Sequence, residues 1–366
     1  MNISNINKIE LEITSNCNAA CPGCARTQNL DILKVESFTV NDLKRMFPIK
    51  EHIDGKMFKF CGVLGDPIIN EDCLEMIKYL TSNNGYCQFS TNGGLRSREW
   101  WIELGKLSKD TGLVDVSFCV DGHKETNHIY RVNTVFDNIA RNMEAYAYGG
   151  EGRQQATWIY IVFDHNEHEL DAARAHADRL GFKFATRTGM RNSMHDWVSQ
   201  IKKKENGKLV KETSVITTTG SKEHSKKALV QDLDAFIKTY KPQMMTSNTI
   251  PVVVDKKTEV LNSIKCKLIH EGEIFIASNQ TLWPCCFLWD SNFKNKENII
   301  EKMAEYGGEW NSLKHHSIDE ILAHPWFDKI LGESWDPVHS KHLSRCIRTC
   351  AYNKAYQNEI NIEEKN

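Results

Sequence analysis

The first 190 residues hold six short runs of strand character, and each of the first five gives way to a stretch with helical spacing. The runs are Lys8 to Thr14, Lys56 to Val63, Tyr86 to Ser90, Leu113 to Val120, Thr157 to Phe163 and Phe182 to Thr186. Between them, helices are predicted from Asn41, over Glu71 to Ser82, Ser97 to Leu107, Asn133 to Tyr146 and Glu167 to Leu180. Consecutive strands joined through a helix run the same way, so this alternation predicts an α/β fold around a parallel sheet. Six units fit a partial (β/α)6 TIM-like barrel, whose chemistry gathers at the C-terminal ends of the strands. The loops after strands one to five each carry glycine, cysteine or a small polar residue, and in this architecture they open at one mouth.

The 366 residues exceed one such unit, and three segments are expected. Residues 1–190 form the barrel, 191–260 a linker or insertion, and 261–366 a smaller cysteine-rich α+β domain. Within the linker, Gln200 to Lys227 holds eight lysines against three glutamates and reads as a mobile surface insertion, either a solvated linker or a lid. Residues 228–245 regain helical spacing. A hydrophobic content of 40% supports a packed core. A formal charge of −2 gives no global attraction to nucleic acid. No run approaches the ~18 apolar residues of a membrane helix, and Met1 to Ile9 lacks a signal-peptide core, so a cytoplasmic protein away from membranes is expected.

Twelve cysteines are too few for a disulfide scaffold of this length, yet they are bunched. Three stand at Cys17-x3-Cys21-x2-Cys24, in the loop after the first strand. Three thiolates at this spacing can wrap one iron–sulfur cubane and leave one iron open. Pro22 and Gly23 let the loop bend. A zinc site lacks an evident fourth ligand nearby, and unrelated thiols are the other bland reading.

This motif, in this place, resembles the radical S-adenosylmethionine (radical SAM) superfamily. Leu64-Gly65-Asp66-Pro67 resembles the family's Gly-Gly-Glu-Pro stretch after strand two, which meets the SAM amino group. Ser90-Thr91-Asn92-Gly93 resembles the third-strand ending, and Asp121-Gly122 with Tyr130-Arg131 the fourth. Phe163-Asp164-His165-Asn166 resembles the fifth, with Asn166 facing SAM. Together these motifs span about residues 7 to 190. The resemblance implies Gly65, Asp66, Ser90, Asn92 and Asn166 as SAM-binding residues, and Cys17, Cys21 and Cys24 as ligands of a [4Fe–4S] cluster with an open iron. It also implies reductive SAM cleavage to a 5′-deoxyadenosyl radical, fed by a one-electron reductant such as flavodoxin or ferredoxin. Three positions depart from the family: Gly23 replaces an aromatic, Asp66 is a methylene shorter than Glu, and Cys119 stands where Ser is common.

A second set comprises Cys266, Cys285, Cys286, Cys346 and Cys350. It resembles the Twitch domain, the short form of the SPASM domain, which binds one auxiliary [4Fe–4S] cluster. Cys266, Cys285, Cys346 and Cys350 are the implied ligands, with Cys286 able to replace Cys285. Gln280 stands where the family usually has Gly, and three residues rather than two separate the final pair. Zinc with His270, His315 or His316 is an alternative for this set, as are structural thiols.

The reaction expected is hydrogen abstraction from a peptide or small polar substrate, ending in two-electron oxidation or crosslinking. A redox-neutral epimerisation, with Cys119 returning a hydrogen atom, is the alternative, and a non-catalytic zinc- or nucleic-acid-binding module the distant one. Cys119 and His165 are the catalytic candidates, His165 or His168 as a base. Arg131, Arg187 and Arg191 can orient an anionic substrate, whereas Cys61, Cys73 and Cys87 read as buried core thiols.

Overall fold

The structure is a computed structural model of the chain. It describes residues 1–30, 33–60, 63–163, 165–188, 197–205, 208–216, 261, 263–291, 307, 309–336, 339, 342–351 and 359–362. The chain divides into two compact units. The larger comprises Lys8–Ser221, Ile276–Gln280 and Asn358–Asn366, and the smaller Met1–Asn7, Lys222–Phe275 and Thr281–Gln357.

In the larger unit, β1 (Lys8–Leu11), β2 (Met57–Phe60), β3 (Tyr86–Thr91), β4 (Val114–Cys119), β5 (Gln155–Ile161) and β6 (Lys183–Thr188) lie side by side in chain order. All five pairings are parallel. The crossovers contain α1 (Val40–Met46), α2 (Cys73–Ser82), α3 (Arg98–Thr111), α4 (Phe136–Gly150) and α5 (Leu170–Arg179). The expected parallel α/β sheet of six strands is therefore present, each element within a few residues of its sequence-based span. Local chemistry sets the ends. Thr39 and Asp42 form a reciprocal capping box at the start of α1, Ser97 caps α3, and Gly112 ends α3 at φ +66°.

The strands alternate. On β2 and β3, Phe58, Phe60, Cys87, Phe89 and Thr91 are buried, while Met57, Lys59, Tyr86, Gln88 and Ser90 between them are half-buried. The buried set faces the helices. Trp101 of α3 lies 5.3 Å from Phe118 and Trp100 lies 6.3 Å from Phe89, centroid to centroid. Trp101 is fully buried and Trp100 half-buried. Helices α3 and α4 touch backbone to backbone: a Cβ on Gly105 would sit 2.1 Å from the Tyr146 carbonyl oxygen, and one on Gly149 2.1 Å from that of Ile102.

Two features differ from the sequence reading. The lysine-rich stretch contains an antiparallel pair, β7 (Trp197–Glu205) with β8 (Lys208–Ile216), in register from Trp197↔Ile216 to Glu205↔Lys208. Its signal was Asn206-Gly207, the pair favoured in two-residue hairpin connections. Residues 217–227 and the helical stretch 228–245 lie outside the described residues. The chain's last strand, β11 (Glu359–Ile362), pairs antiparallel with β6 and belongs to the larger unit.

The smaller unit contains α6 (Lys267–Glu271), β9 (Glu273–Ile276), β10 (Leu282–Trp283), α7 (Cys286–Ser291), α8 (Ile318–Leu322) and α9 (Ser344–Cys350). The Asp319 carboxylate of α8 accepts from the Ile3 amide at 2.8 Å. Among the described residues, no helix is long and apolar enough to cross a membrane.

Candidate functional site

Three strand-end loops of the larger unit are bolted together by backbone. The Asp66 amide donates to the Asn16 carbonyl at 2.9 Å, and the Ala20 amide to that of Val132 at 2.9 Å. A Cβ on Gly65 would fall 1.8 Å from the Thr14 carbonyl oxygen, so only glycine lets the loop after β2 run against the loop after β1. Glu12, buried at the end of β1, accepts from the Leu64 amide at 2.7 Å and fixes that approach.

Cys17, Cys21 and Cys24 share one small apolar cluster with Ala19, Tyr130, Ile161 and Phe163. Cys21 is buried, and the other two are half-buried. Two donors reach Cys17 Sγ: the Ala19 amide at 3.4 Å and Asn92 Nδ2 at 3.8 Å. Arg131 Nη1 reaches Cys21 Sγ at 3.9 Å. Burial pushes the Cys17 thiol up to about 12, with Asp66, Cys21 and Cys24 adding to it and the Ala19 amide opposing.

Asp66 is enclosed. Thr91 Oγ1 donates to it at 2.8 Å, the Asn92 amide at 2.7 Å and the Ile68 amide at 3.2 Å. Burial raises its pKa and these donors pull it back. Asn92 also donates to Asn18 Oδ1 at 2.9 Å, so the third-strand ending meets the cysteine loop directly. Ser90 is half-buried on β3.

Arg131 closes the fourth-strand segment on the thiols. Its Nε donates to Asp121 Oδ2 at 2.6 Å, and Asp121 is fully buried. Burial lowers the guanidinium's pKa, but Asp121, then Cys21 and Cys119, hold it well above its usual range. Arg131 is thus committed to Asp121. Cys119 stands half-buried at the end of β4, its thiol donating to the Ser117 carbonyl at 3.9 Å. Asn166 is fully buried. Its Oδ1 accepts from the Phe163 amide at 2.7 Å, and its Nδ2 donates to the Asp121 and Ile161 carbonyls at 2.9 and 3.0 Å. The side chain shapes the loop after β5. His165 stacks on Phe163, with centroids 5.2 Å apart, and His168 is exposed. Asp164 and Arg191 lie outside the described residues.

Sequence reading missed the two asparagines flanking Cys17. Asn16 Oδ1 accepts from the Cys17 amide at 3.0 Å and from Arg26 Nη2 at 3.3 Å. The signal was the Asn-Cys-Asn run itself, since Asn bonds readily to nearby backbone in turns.

In the smaller unit, Cys266 caps α6, Cys285 and Cys286 open α7, and Cys346 and Cys350 stand one helical turn apart on α9. Cys266, Cys285, Cys346 and Cys350 are buried, and Cys286 is half-buried. Burial pushes Cys285 up to about 12, with Cys266 and Cys350 contributing, and pushes Cys350 up to about 12, with Cys266 contributing. These three thiols therefore lie within electrostatic reach of one another. Arg345 Nη2 to Asp290 Oδ2, at 3.3 Å, ties α9 to α7. The histidines of the zinc alternative stand otherwise. His270 Nδ1 lies 3.1 Å from the Cys266 amide, His315 pairs with Glu309 at 2.9 Å, and His316 is exposed. Among the described residues, no group of three or more His, Cys, Asp or Glu side chains is arranged to hold a single metal ion. A cubane separates its thiolates more widely than one ion does, and an all-cysteine donor set is compatible with it. Cys73 and Cys87 are core thiols, as expected, and Cys61 lies outside the described residues.

No family model matches the chain. A curated relative, the AdoMet-dependent heme synthase of Nitratidesulfovibrio vulgaris, is 28% identical over 120 residues, 33% of this chain and 31% of that protein. The chain thus spans about a third of the length of the relative it matches. Similar solved structures include anSMEcpe with bound AdoMet and the Cp18Cys peptide, at 13% identity, covering 97% of this chain and 92% of that one, TM-score 0.48. Streptococcus suis SuiB bound to S-adenosylmethionine is 12% identical, covering 83% and 66%, TM-score 0.47. BtrN in complex with AdoMet and 2-DOIA is 9% identical, covering 97% and 98%, TM-score 0.44. Beyond this similarity to an AdoMet-dependent heme synthase over 120 residues, the chain has six parallel strands in chain order and a three-cysteine loop after the first.

Proposed function

We propose that the protein is a radical SAM enzyme that removes hydrogen from a peptide or small polar substrate and ends in a two-electron oxidation or a crosslink. The observation that carries the reading is the loop after β1, where three thiols cluster, Cys17 accepting from Ala19 and Asn92 and Cys21 from Arg131. Cys17, Cys21 and Cys24 would hold a [4Fe–4S] cluster, and Gly65, Asp66, Ser90 and Asn92 would line the SAM side. Asn166 would act there through the loop it shapes. When bound, the cluster and SAM supply a 5′-deoxyadenosyl radical, the hydrogen-abstracting group. The protein's own part is electrostatic and positional. The Ala19 amide and the Asn92 carboxamide draw charge off the Cys17 sulfur, and Arg131 does so at Cys21, which favours the reduced site. The Asp121–Arg131 pair keeps that guanidinium aimed at the sulfur.

Cys266, Cys285, Cys346 and Cys350 would hold an auxiliary [4Fe–4S] cluster, a natural acceptor for the second electron. A flavodoxin or ferredoxin would supply the first. Cys119 favours a second reading, redox-neutral epimerisation, because its half-buried thiol ends the strand that leads to Asp121. Solvent deuterium in an unoxidised product would select that reading, and an oxidised product the first.

The test is anaerobic reconstitution with iron and sulfide counts and SAM cleavage driven by dithionite. Wild type should bind about eight irons, and a Cys17/Cys21/Cys24→Ala variant about four with cleavage lost. About four irons in the wild type would demote the second set to structural thiols. No iron and no cleavage would refute the enzyme and leave a binding module.

A further inference from the structure

Register places a second polar pattern on the face of the sheet turned away from the helices. Residues paired across parallel strands share a face. Ser90 pairs with Ser117, Ser117 pairs with Thr157, and Gln88 pairs with Asp115 one pleat nearer the strand starts. Cys119 lies two residues beyond Ser117 on the same strand, hence on this same face. The face packed on the helices is aromatic, and this one is not.

Ser117 is only 6% exposed, and Gln88, Ser90 and Thr157 are half-buried. Each can donate and accept. Among the described residues, no hydrogen bond joins any of these four side chains to another group, and none of their polar atoms is a sealed, unsatisfied one, so they are open to water or a ligand. Buried polar groups are satisfied in stable proteins, by protein, water or ligand. The charges nearer the strand starts are already matched: Lys59 Nζ lies 3.5 Å from Glu10, and Asp115 stands beside Lys183 and Tyr86. What this tier offers a ligand is therefore neutral, directional hydrogen bonding.

We propose that Ser117 and Thr157, flanked by Gln88, form a positioning subsite for an uncharged hydrogen-bonding group of the substrate, a backbone or side-chain amide, beneath Cys119. That the bound group belongs to a substrate rests on the enzymatic reading. The binding itself is measured without cluster or SAM, so the two fail separately.

The experiment uses the full metal-free chain and saturation-transfer NMR titration with N-acetyl-L-glutaminamide, against N-acetyl-L-leucinamide as the apolar control. Wild type should prefer the glutamine probe, and Ser117→Ala/Thr157→Val should weaken it about tenfold, as two lost hydrogen bonds would. Thr157→Ser, which keeps the hydroxyl, should restore most of the binding of Thr157→Val. Should the double variant misfold by circular dichroism, the near-isosteric Thr157→Val alone decides, with a severalfold loss expected. Unchanged binding in the folded variant, equal or tighter binding of the leucine probe, or no binding of either would overturn the subsite.

Discussion

The two cysteine sets solve one problem by different means. The first lies within eight residues of chain, in a loop that neighbouring backbone pins and neighbouring side chains bond. The second is drawn from positions 266 to 350, and its members stand at the ends and along the face of short helices. A compact motif can be oriented by its surroundings, so its sulfurs receive donors from Asn92 and Arg131. A dispersed set must instead be assembled by folding, and its tie is the Arg345–Asp290 pair between α9 and α7. On the proposed function, an aimed open iron would belong with the first set and an insulated electron acceptor would suit the second.

The largest expected effect separates the sets outright. Cys24→Ala should abolish SAM cleavage in the reconstituted protein. Cys350→Ala should leave cleavage within about twofold while removing about half of the iron. Equal loss of cleavage in both would dissolve the distinction. Next comes the electrostatic contrast. Arg131→Leu strands the fully buried Asp121 and should cost about 3–5 kcal/mol in urea unfolding of the metal-free chain. Arg345→Leu breaks a part-exposed pair and should cost about 1 kcal/mol or less. Comparable costs would mean that the second set is as tightly scaffolded as the first.

The smallest effect is a pH dependence in the larger unit. His123, in the loop after β4, and His176 on α5 lie 5.8 Å apart, with Trp158 and Phe136 around them. Burial lowers both pKa values below 6.5. Arg179 reinforces this at both rings and His123 adds to it at His176, against Glu169 near His123 and Glu144 near His176. The unfolded chain therefore binds these protons first, and stability should fall as pH drops below 6.5. His176→Phe should flatten that acid limb in urea titrations from pH 7 to 5. An unchanged limb would place the acid sensitivity elsewhere.

Much of this was legible in the sequence. The strands were readable because one face of each is buried under helices, which imposes alternation. The cysteine loop was readable because its ligands are local. What escaped depends on long-range partners. Glu359–Ile362 is only four residues, and nothing local announces its pairing with β6. The β7–β8 pair was hidden by its own lysines, which dominate the composition of this stretch. Arg131 was recognisable as part of a motif, but not as the partner of both Asp121 and Cys21. Gln280 is instructive in another way. At a position where the resembled family has glycine, it keeps φ at +68°, and its side chain accepts from Arg45 at 2.5 Å. The conformation persisted although the residue best suited to it did not.

The aromatic layer and the polar tier sit on opposite sides of the same strands, separated by a single position of chain. Deleting one residue within β4 would turn Phe118 toward the tier and press Ser117 and Cys119 against the Trp101 layer. Both packing and chemistry would fail at once. A one-residue deletion should therefore be far more damaging in a strand than in a loop, because the phase of each strand is constrained as firmly as any side chain.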